Sequence, residues 1–273
     1  MRLVGLGDSI TAGYTASSHR AFFDLLTDNG PDENPDVAGI CLQGVFPDLH
    51  VENHAVSGSP SYAHLRQARA LAPSPSDTLG WVVITSGSND LVYRYTNGPG
   101  DGAMRGATLE QARPWIASLG RRLDQLVDIV QSKFPGGCEI FLATIYDPTD
   151  GVGDIEKSIP VLFRGLIGIG PWPQAEAVLD ACNAEIVRVC QRPHVHLVDV
   201  HGLFLGHGIH HADRTARYYC ATDPTLWFMN DVQHPSERGH DAIRRAFLRV
   251  MASLRRGLAP CGTTPPPDPS RCR

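Results

Sequence analysis

The sequence Arg2-Leu3-Val4-Gly5-Leu6-Gly7-Asp8-Ser9-Ile10 places a short apolar run directly before a small polar turn. The run does not alternate with polar residues, which is typical of a strand buried on both faces of a parallel sheet. Gly-Asp-Ser is common turn chemistry, but a serine at the end of a strand can also act as a nucleophile. The stretch therefore predicts the first strand of the fold and a candidate catalytic residue, Ser9.

Four more short apolar runs follow, interspersed with segments of helical spacing. Together with the first, they predict strands at residues 2–7, 50–56, 81–86, 139–146 and 195–200. Apolar residues at every third or fourth position predict amphipathic helices around residues 119–130 and 243–254, with Pro114 near the start of the first. This alternation predicts an α/β fold, a three-layer α/β/α sandwich whose five-stranded parallel sheet has the flavodoxin-like order 2-1-3-4-5.

Length and charge limit the domain organisation and the partners. The chain has 273 residues, enough for one large core, and we expect a single domain at residues 1–258 followed by a Pro- and Cys-containing tail at 259–273. A net charge of −5 and an isoelectric point near 6.2 argue against nucleic acid as a partner. No apolar segment approaches the roughly 20 residues that span a bilayer, so we expect no stable membrane insertion. We expect a monomer that acts on a small molecule.

Three segments are longer than the connections between strands and helices that a minimal α/β/α sandwich needs: residues 92–108, 148–173 and 202–230. Each follows a predicted strand, and ligands of open α/β sheets bind at the carboxyl ends of the strands. We therefore expect these insertions to form the walls of a substrate pocket beside Ser9. Trp172, Trp227 and Phe228 lie within them and would either line this pocket or pack in the core.

A second motif, Asp231-Val232-Gln233-His234-Pro235, supplies what a serine nucleophile requires. A hydroxyl needs a base within hydrogen-bond distance, and the base needs a group that fixes its tautomer. His234 can serve as the base and Asp231 as the group that orients it. Pro235 and the serine after it suit a helix start, which would anchor the histidine.

Acyl transfer also needs hydrogen-bond donors aimed at the developing oxyanion. Three candidates follow three predicted strands: the amide of Ser9, the amide of Gly58, and the side-chain NH₂ of Asn89 in the block Gly87-Ser88-Asn89-Asp90. In the predicted strand order these three positions would be neighbours at one edge of the sheet.

These four blocks, in this order, resemble the SGNH, or GDSL-type, family of serine esterases and lipases, and the resemblance extends over roughly residues 3–254. It implies that Ser9 is the nucleophile, that Gly58 and Asn89 are oxyanion donors, and that His234 and Asp231 are the base and its orienting group. The block that ends at Gly58, residues 53–58, departs from the family pattern Asn-x-Gly-x-x-Gly, because Ala55 stands where that pattern often has glycine. The resemblance implies hydrolysis of a small-molecule or lipid ester. An acyltransferase acting on a sugar or lipid alcohol, or a non-catalytic binding module, would be the alternatives.

Other polar clusters are weaker candidates. We expect Asp8 and Asp90 to make supporting hydrogen bonds. The histidines of one segment match no common zinc spacing, and the aspartates of another lack the calcium-loop pattern; these are His201, His207, His210 and His211, and Asp147, Asp150 and Asp154. We therefore expect no metal and no cofactor.

The seven cysteines are many for a cytosolic enzyme of this size. Cys182 and Cys190 fall on the apolar side of a predicted helix and would be buried thiols, whereas Cys261 and Cys272 lie in the tail. We expect at least one disulfide that involves the tail. This favours a secreted or periplasmic protein whose export signal is absent from this chain, with a cytoplasmic location as the alternative.

Overall fold

The sheet is five-stranded and all-parallel. A computed structural model of the protein describes residues 1–29, 35–37, 40–92, 104–158 and 170–255. Its strands are β1 (Arg2–Leu6), β2 (His50–Asn53), β3 (Gly80–Thr85), β4 (Cys138–Ala143) and β5 (Val195–Val198). They pair in the order β2-β1-β3-β4-β5. The predicted fold class and strand order are confirmed.

The predicted strands extend too far at their carboxyl ends, by one residue for β1 and by three for β2 and β4. The residues after β1 leave the ladder because Gly7 adopts a φ of +133°, which turns the chain. A second correction concerns β2, which lies at the edge of the sheet with mostly exposed side chains and is not buried on both faces. These strand ends are the positions from which the site residues project.

The helices surround the sheet and connect its parallel strands. They are α1 (Ser9–Ala12), α2 (Phe22–Thr27), α3 (Leu42–Val45), α4 (Ser61–Ala70), α5 (Ser88–Val92), α6 (Leu109–Ser132), α7 (Ala175–Val189), α8 (Val200–Phe204) and α9 (Glu237–Leu254), with short 3₁₀ turns at Pro35–Val37 and Ile155–Ser158. The start of α6 lies five residues before Pro114. A capping box between Thr108 and Gln111 begins the helix there, so Pro114 is tolerated early within it.

Alternate residues of the central strands supply two separate cores. On one face, Val4, Val82 and Ile140 pack with the apolar faces of α4, α6 and α7. On the other face, Leu3, Val83 and Phe141 pack with α2, α3, α8 and α9. The sheet is thus the middle layer of the predicted sandwich, and both faces of its central strands are covered.

The chain's cysteines in the described part form no disulfide. These are Cys41, Cys138, Cys182, Cys190 and Cys220; Cys182 is buried in α7, as predicted, and Cys190 is only half-buried at the end of that helix. Cys261, Cys272 and the predicted tail at 259–273 lie outside the described residues, so tail pairing stays a prediction. Within the described ranges, the helices are too short or too polar to cross a bilayer.

Candidate active site

Ser9 sits at the first position of α1, immediately beyond β1. Gly7 makes the turn possible: a Cβ on this residue would lie 2.3 Å from the carbonyl oxygen of Thr85 on β3. Asp8 caps the helix, since its Oδ1 accepts a hydrogen bond of 3.0 Å from the amide of Ile10. The turn therefore holds Ser9 with its side chain 7% exposed at the carboxyl edge of the sheet.

His234 lies on a tight loop fastened at both ends. The loop closes through a hydrogen bond of 2.8 Å from the Met229 amide to the His234 carbonyl. Tyr146, just beyond β4, donates from its Oη to the carbonyl of Gln233 at 2.5 Å. Ser236 then begins α9 as its N-cap, which confirms the predicted helix start. These contacts fix the position of the imidazole relative to the sheet.

The structure brings Ser9, His234 and Asp231 together in a linear chain of hydrogen bonds. The distance from His234 Nε2 to Ser9 Oγ is 3.0 Å, and that from His234 Nδ1 to Asp231 Oδ2 is 2.6 Å. The other carboxylate oxygen of Asp231 accepts from the amides of Gln233 and His234, each at 3.0 Å. Partial burial acts to raise the pKa of Asp231, but these hydrogen bonds outweigh it, and the net pKa is lowered. Asp231 is therefore anionic at neutral pH and fixes the proton of His234 on Nδ1.

The two predicted oxyanion residues flank Ser9. Gly58 follows β2 in an exposed loop and has a φ of +78°, a conformation that favours glycine. Asn89 lies in the first turn of α5, beyond β3, and its Nδ2 donates to the carbonyl of Ser59 at 3.1 Å. This bond uses one of the two N–H groups of the amide and couples Asn89 to the loop that carries Gly58.

Sequence reasoning missed a buried histidine that holds this loop. His64 on α4 is fully buried, and its Nε2 lies 3.0 Å from the Oγ of Ser59 while its Nδ1 lies 2.8 Å from the Oγ of Ser86. Burial lowers the pKa of His64 to about 4, so the ring is neutral and bridges the loops after β2 and β3. Its only sequence signal was the apolar face of α4, on which a histidine looks like an ordinary core residue.

Gln67 also escaped the sequence analysis. Its side chain accepts from the amide of Gly7 and donates to the carbonyl of the same residue, both at 2.9 Å. Ser59 Oγ donates to that carbonyl too, at 2.9 Å. The turn before Ser9 and the loop of Gly58 are thus tied to each other and to α4.

Asp8 and Asp90, which are both buried, act as supports, as expected. Asp90 accepts from the amide and hydroxyl of Ser61 at 2.8 and 2.6 Å, and burial raises its pKa. Asp8 accepts from Thr85 Oγ1 at 3.0 Å as well as from α1. Burial is the main cause that raises the pKa of Asp8 to about 6, since its hydrogen bonds offset only part of the desolvation.

A cavity of about 140 Å³ opens beside these residues. It lies among the end of β4, α5, α7 and the loop that carries Asp231. In the described part of the chain its lining includes residues of the first two predicted insertions, such as Arg105 and Trp172, but none from the third. Trp227 and Phe228 of that third insertion instead pack in the core against Phe204, which corrects the expectation for that wall.

The two weaker clusters have structural roles. Each histidine of the segment after β5 bonds a carbonyl or a carboxylate: His201 to Ile145, His207 to Thr225, His210 to Asp154 and His211 to Gly208. Asp147 and Asp150 accept backbone amides of nearby turns. Across the described ranges, no three histidine, cysteine or acidic side chains are arranged to hold a metal ion.

Comparison of the backbone with solved structures identifies the fold. A member of the lipolytic G-D-S-L family from Veillonella parvula matches with a TM-score of 0.54 at 13% identity, over 92% of this chain and 98% of that one. An acetyl xylan esterase from Geobacillus stearothermophilus matches with a TM-score of 0.53 at 20% identity, over 92% and 94%. A psychrotrophic esterase from Pseudoalteromonas sp. matches with a TM-score of 0.51 at 17% identity, over 93% and 97%. At these identities the likeness establishes the fold alone.

Comparison of the sequence establishes the family. A search of curated proteins gave no significant match. The profile of the GDSL-like lipase/acylhydrolase family, however, matches residues 6–242, which include all the predicted site residues and most of the sandwich. The resemblance drawn from the four sequence blocks is therefore confirmed, and the chain belongs to the GDSL-like lipase/acylhydrolase family of ester hydrolases.

Proposed function

We propose that the protein hydrolyses carboxylic esters through an acyl-enzyme formed on Ser9. The observation that carries this proposal is the hydrogen-bonded chain in which His234 Nε2 lies 3.0 Å from Ser9 Oγ and Asp231 lies 2.6 Å from the opposite ring nitrogen. The fixed tautomer leaves Nε2 with a lone pair directed at the hydroxyl, which is the arrangement that general-base activation requires.

In the first half-reaction, Nε2 of His234 removes the hydroxyl proton while Oγ of Ser9 forms a bond to the ester carbonyl carbon. The π electrons of the carbonyl move onto its oxygen and produce a tetrahedral oxyanion. When the carbonyl re-forms, the bond to the alcohol oxygen breaks, and that oxygen takes the proton from His234. The alcohol leaves and the acyl group remains on Ser9. Asp231 stays ionised and stabilises the imidazolium.

In the second half-reaction, a water molecule replaces the alcohol. His234 removes a proton from the water, whose oxygen attacks the acyl carbon and forms a second oxyanion. Collapse breaks the bond to Ser9 Oγ, which takes the proton back from His234. The products are a carboxylic acid and free enzyme, and no cofactor enters the balance.

Three donors support the oxyanion in this proposal. The amide of Ser9 belongs to the first turn of α1, where helix amides have no acceptor within the helix. The Gly58 amide lies in the loop tied to Gly7 through Ser59, and Asn89 retains one side-chain N–H beyond its bond to Ser59. Donors that are held in place before the reaction stabilise the developing charge without reorganisation.

The test compares Ser9→Ala with Ser253→Ala, an exposed serine on α9 far along the chain from the site. With p-nitrophenyl acetate, Ser9→Ala should abolish turnover, whereas Ser253→Ala should match the wild type. Circular dichroism and urea unfolding verify that both variants fold. Full activity in folded Ser9→Ala would refute the assignment of Ser9 as the nucleophile. Adding an alcohol acceptor and measuring the transferred ester separates hydrolysis from acyl transfer.

A further inference from the structure

We propose that the 140 Å³ cavity beside the triad is the binding site for the acyl group of the substrate, and that it takes a chain of about six carbons or one aromatic ring. The inference rests on the proposed function, because it assigns the cavity to the group that remains bonded to Ser9. The size, the lining and the position of the cavity each support this assignment.

The position fits a group attached to Ser9. Ser88, the neighbour of Asn89, lines one side of the cavity, and Asp231, Val232 and Gln233 of the triad loop line another. The space therefore begins between the proposed oxyanion donor on α5 and the loop that holds the base. In this proposal the acyl chain extends from the carbonyl carbon into that space.

The lining is mainly apolar. Six of the side chains that form it are each only 6–9% exposed: Leu91, Ile145, Tyr146, Trp172, Leu179 and Val232. A group that enters replaces water against these surfaces, which favours hydrocarbon over a hydrated sugar.

Several polar groups around the cavity already have partners. Tyr146 Oη donates to the Gln233 carbonyl, and Trp172 Nε1 donates to the carbonyl of Ala107 at 2.7 Å. Asp147 accepts from the Thr149 side chain at 2.6 Å. The rings of Tyr146 and Trp172 therefore present carbon surfaces to a guest. Of the other charged lining residues, Asp231 bonds to His234, Arg105 is half-buried, and Glu176 is exposed, so its charge is solvated at the mouth.

The volume sets the size of the acyl group. An apolar cavity of about 150 Å³ is sufficient to bind benzene in another protein, so 140 Å³ accommodates about six carbon atoms. Each methylene buried in such a site is expected to raise kcat/KM by about fourfold. Carbons beyond the sixth reach the open mouth and gain less, so the increase levels off.

The alcohol part of the ester has a different exit. His234 protonates the leaving oxygen, and the ring of Tyr14 lies 4.7 Å from the His234 ring while remaining 53% exposed. Gly58, on the far side of Ser9, is exposed too. The open surface is therefore the route for the alcohol, and the enclosed cavity is left for the acyl group.

The experiment measures kcat/KM for p-nitrophenyl acetate, butyrate, hexanoate, octanoate, dodecanoate and benzoate. Ala175 lines the cavity from the first turn of α7, and Ala175→Leu adds carbon there without changing charge. Ala177→Leu, an exposed position on the same helix, is the matched control. The wild type should favour hexanoate over acetate at least tenfold and level off beyond it. Ala175→Leu should lower the hexanoate-to-acetate ratio at least tenfold, and Ala177→Leu should keep the wild-type ratio.

Should Ala175→Leu fail to fold, Leu179→Ala enlarges the same cavity and should move the preference to octanoate or dodecanoate. An unchanged hexanoate-to-acetate ratio in folded Ala175→Leu overturns the assignment, as does an unchanged chain-length profile in Leu179→Ala. A length preference that follows the alcohol in a series of alkyl acetates overturns it too. If hydrolysis depends on Ser9 but kcat/KM does not vary with the length of the acyl chain, only the acyl-site proposal is refuted. Acetate hydrolysis that survives in Ser9→Ala removes the proposed function itself.

Discussion

Replacing Asn89 by alanine tests whether its side chain stabilises the oxyanion. The variant loses the bond of 3.1 Å to the Ser59 carbonyl and the second N–H, which faces the reaction in our proposal. Loss of one oxyanion donor costs about 10²–10³ in kcat, or roughly 3–4 kcal/mol of transition-state stabilisation. Because the charge develops only in the transition state, KM should change by less than about threefold.

The structural cost should be much smaller. One hydrogen bond to a partly buried carbonyl contributes about 0.5–1.5 kcal/mol to the free energy of unfolding, and Asn89 is half-buried, so water can replace the lost donor. Asn53→Ala is a matched control at the end of β2. It removes a bond of 2.8 Å to Thr11 and one of 3.1 Å from Ala55. This control should lose at least as much stability yet keep kcat within about tenfold.

The assay is steady-state hydrolysis of p-nitrophenyl acetate, paired with urea unfolding of both variants. The reasoning is refuted if Asn89→Ala retains more than a tenth of the wild-type kcat while folded. A loss confined to KM would make Asn89 a contact to bound substrate. An equal loss of kcat in Asn53→Ala would show that loop stability, and not the donor, controls the rate.

Three further predictions follow from the same contacts. Asp231→Asn should lower kcat by about 10⁴ with binding largely intact, since the amide no longer fixes the tautomer of His234; steady-state kinetics showing a loss below tenfold would contradict this. Native Asp8 keeps its proton up to about pH 6, whereas Asp8 in the unfolded chain loses its proton near pH 3.8. The native state therefore binds more protons between these two pH values, and its free energy of unfolding falls as the pH rises from one to the other. Asp8→Asn should remove that fall, about 3 kcal/mol, in urea unfolding between pH 4 and pH 7; an unchanged pH dependence would refute it. Mass spectrometry of the unreduced, alkylated protein should show fewer than seven alkylated cysteines, with Cys261 or Cys272 in a disulfide, whereas seven would exclude it.

The strands and the positions of the site residues could be predicted from the sequence because both depend on local signals, whereas the strand order is inferred from the fold class. Unbroken apolar runs identify buried parallel strands, and the blocks around Ser9, Asn89 and His234 follow them or precede the last helix. The exact strand ends could not be predicted, since a strand stops where a residue such as Gly7 turns out of the ladder. The predicted order already places β2 at the edge of the sheet, but the exposure of its side chains depends on what covers them, which the run itself does not encode.

The residues that hold the site in place were harder to predict, because their contacts are also with residues distant in the sequence. His64, Gln67 and Tyr146 act through contacts with residues that are 5 to 87 positions away in the chain. Their local sequence is that of ordinary helix faces or of a strand end. Likewise, the insertion at 202–230 has no periodicity that distinguishes a pocket wall from core packing, and Phe204, Trp227 and Phe228 within it proved to belong to the core.

The most direct test of the central claim is the site of covalent modification by an organophosphonate p-nitrophenyl ester, which reacts with an activated serine and cannot complete the hydrolytic cycle. Intact-mass and peptide analysis of the labelled protein should find one phosphonyl group, located on Ser9, with labelling lost in Ser9→Ala and strongly slowed in His234→Ala. A phosphonyl group on another residue, or undiminished labelling of folded Ser9→Ala, would contradict the claim that Ser9 is the nucleophile.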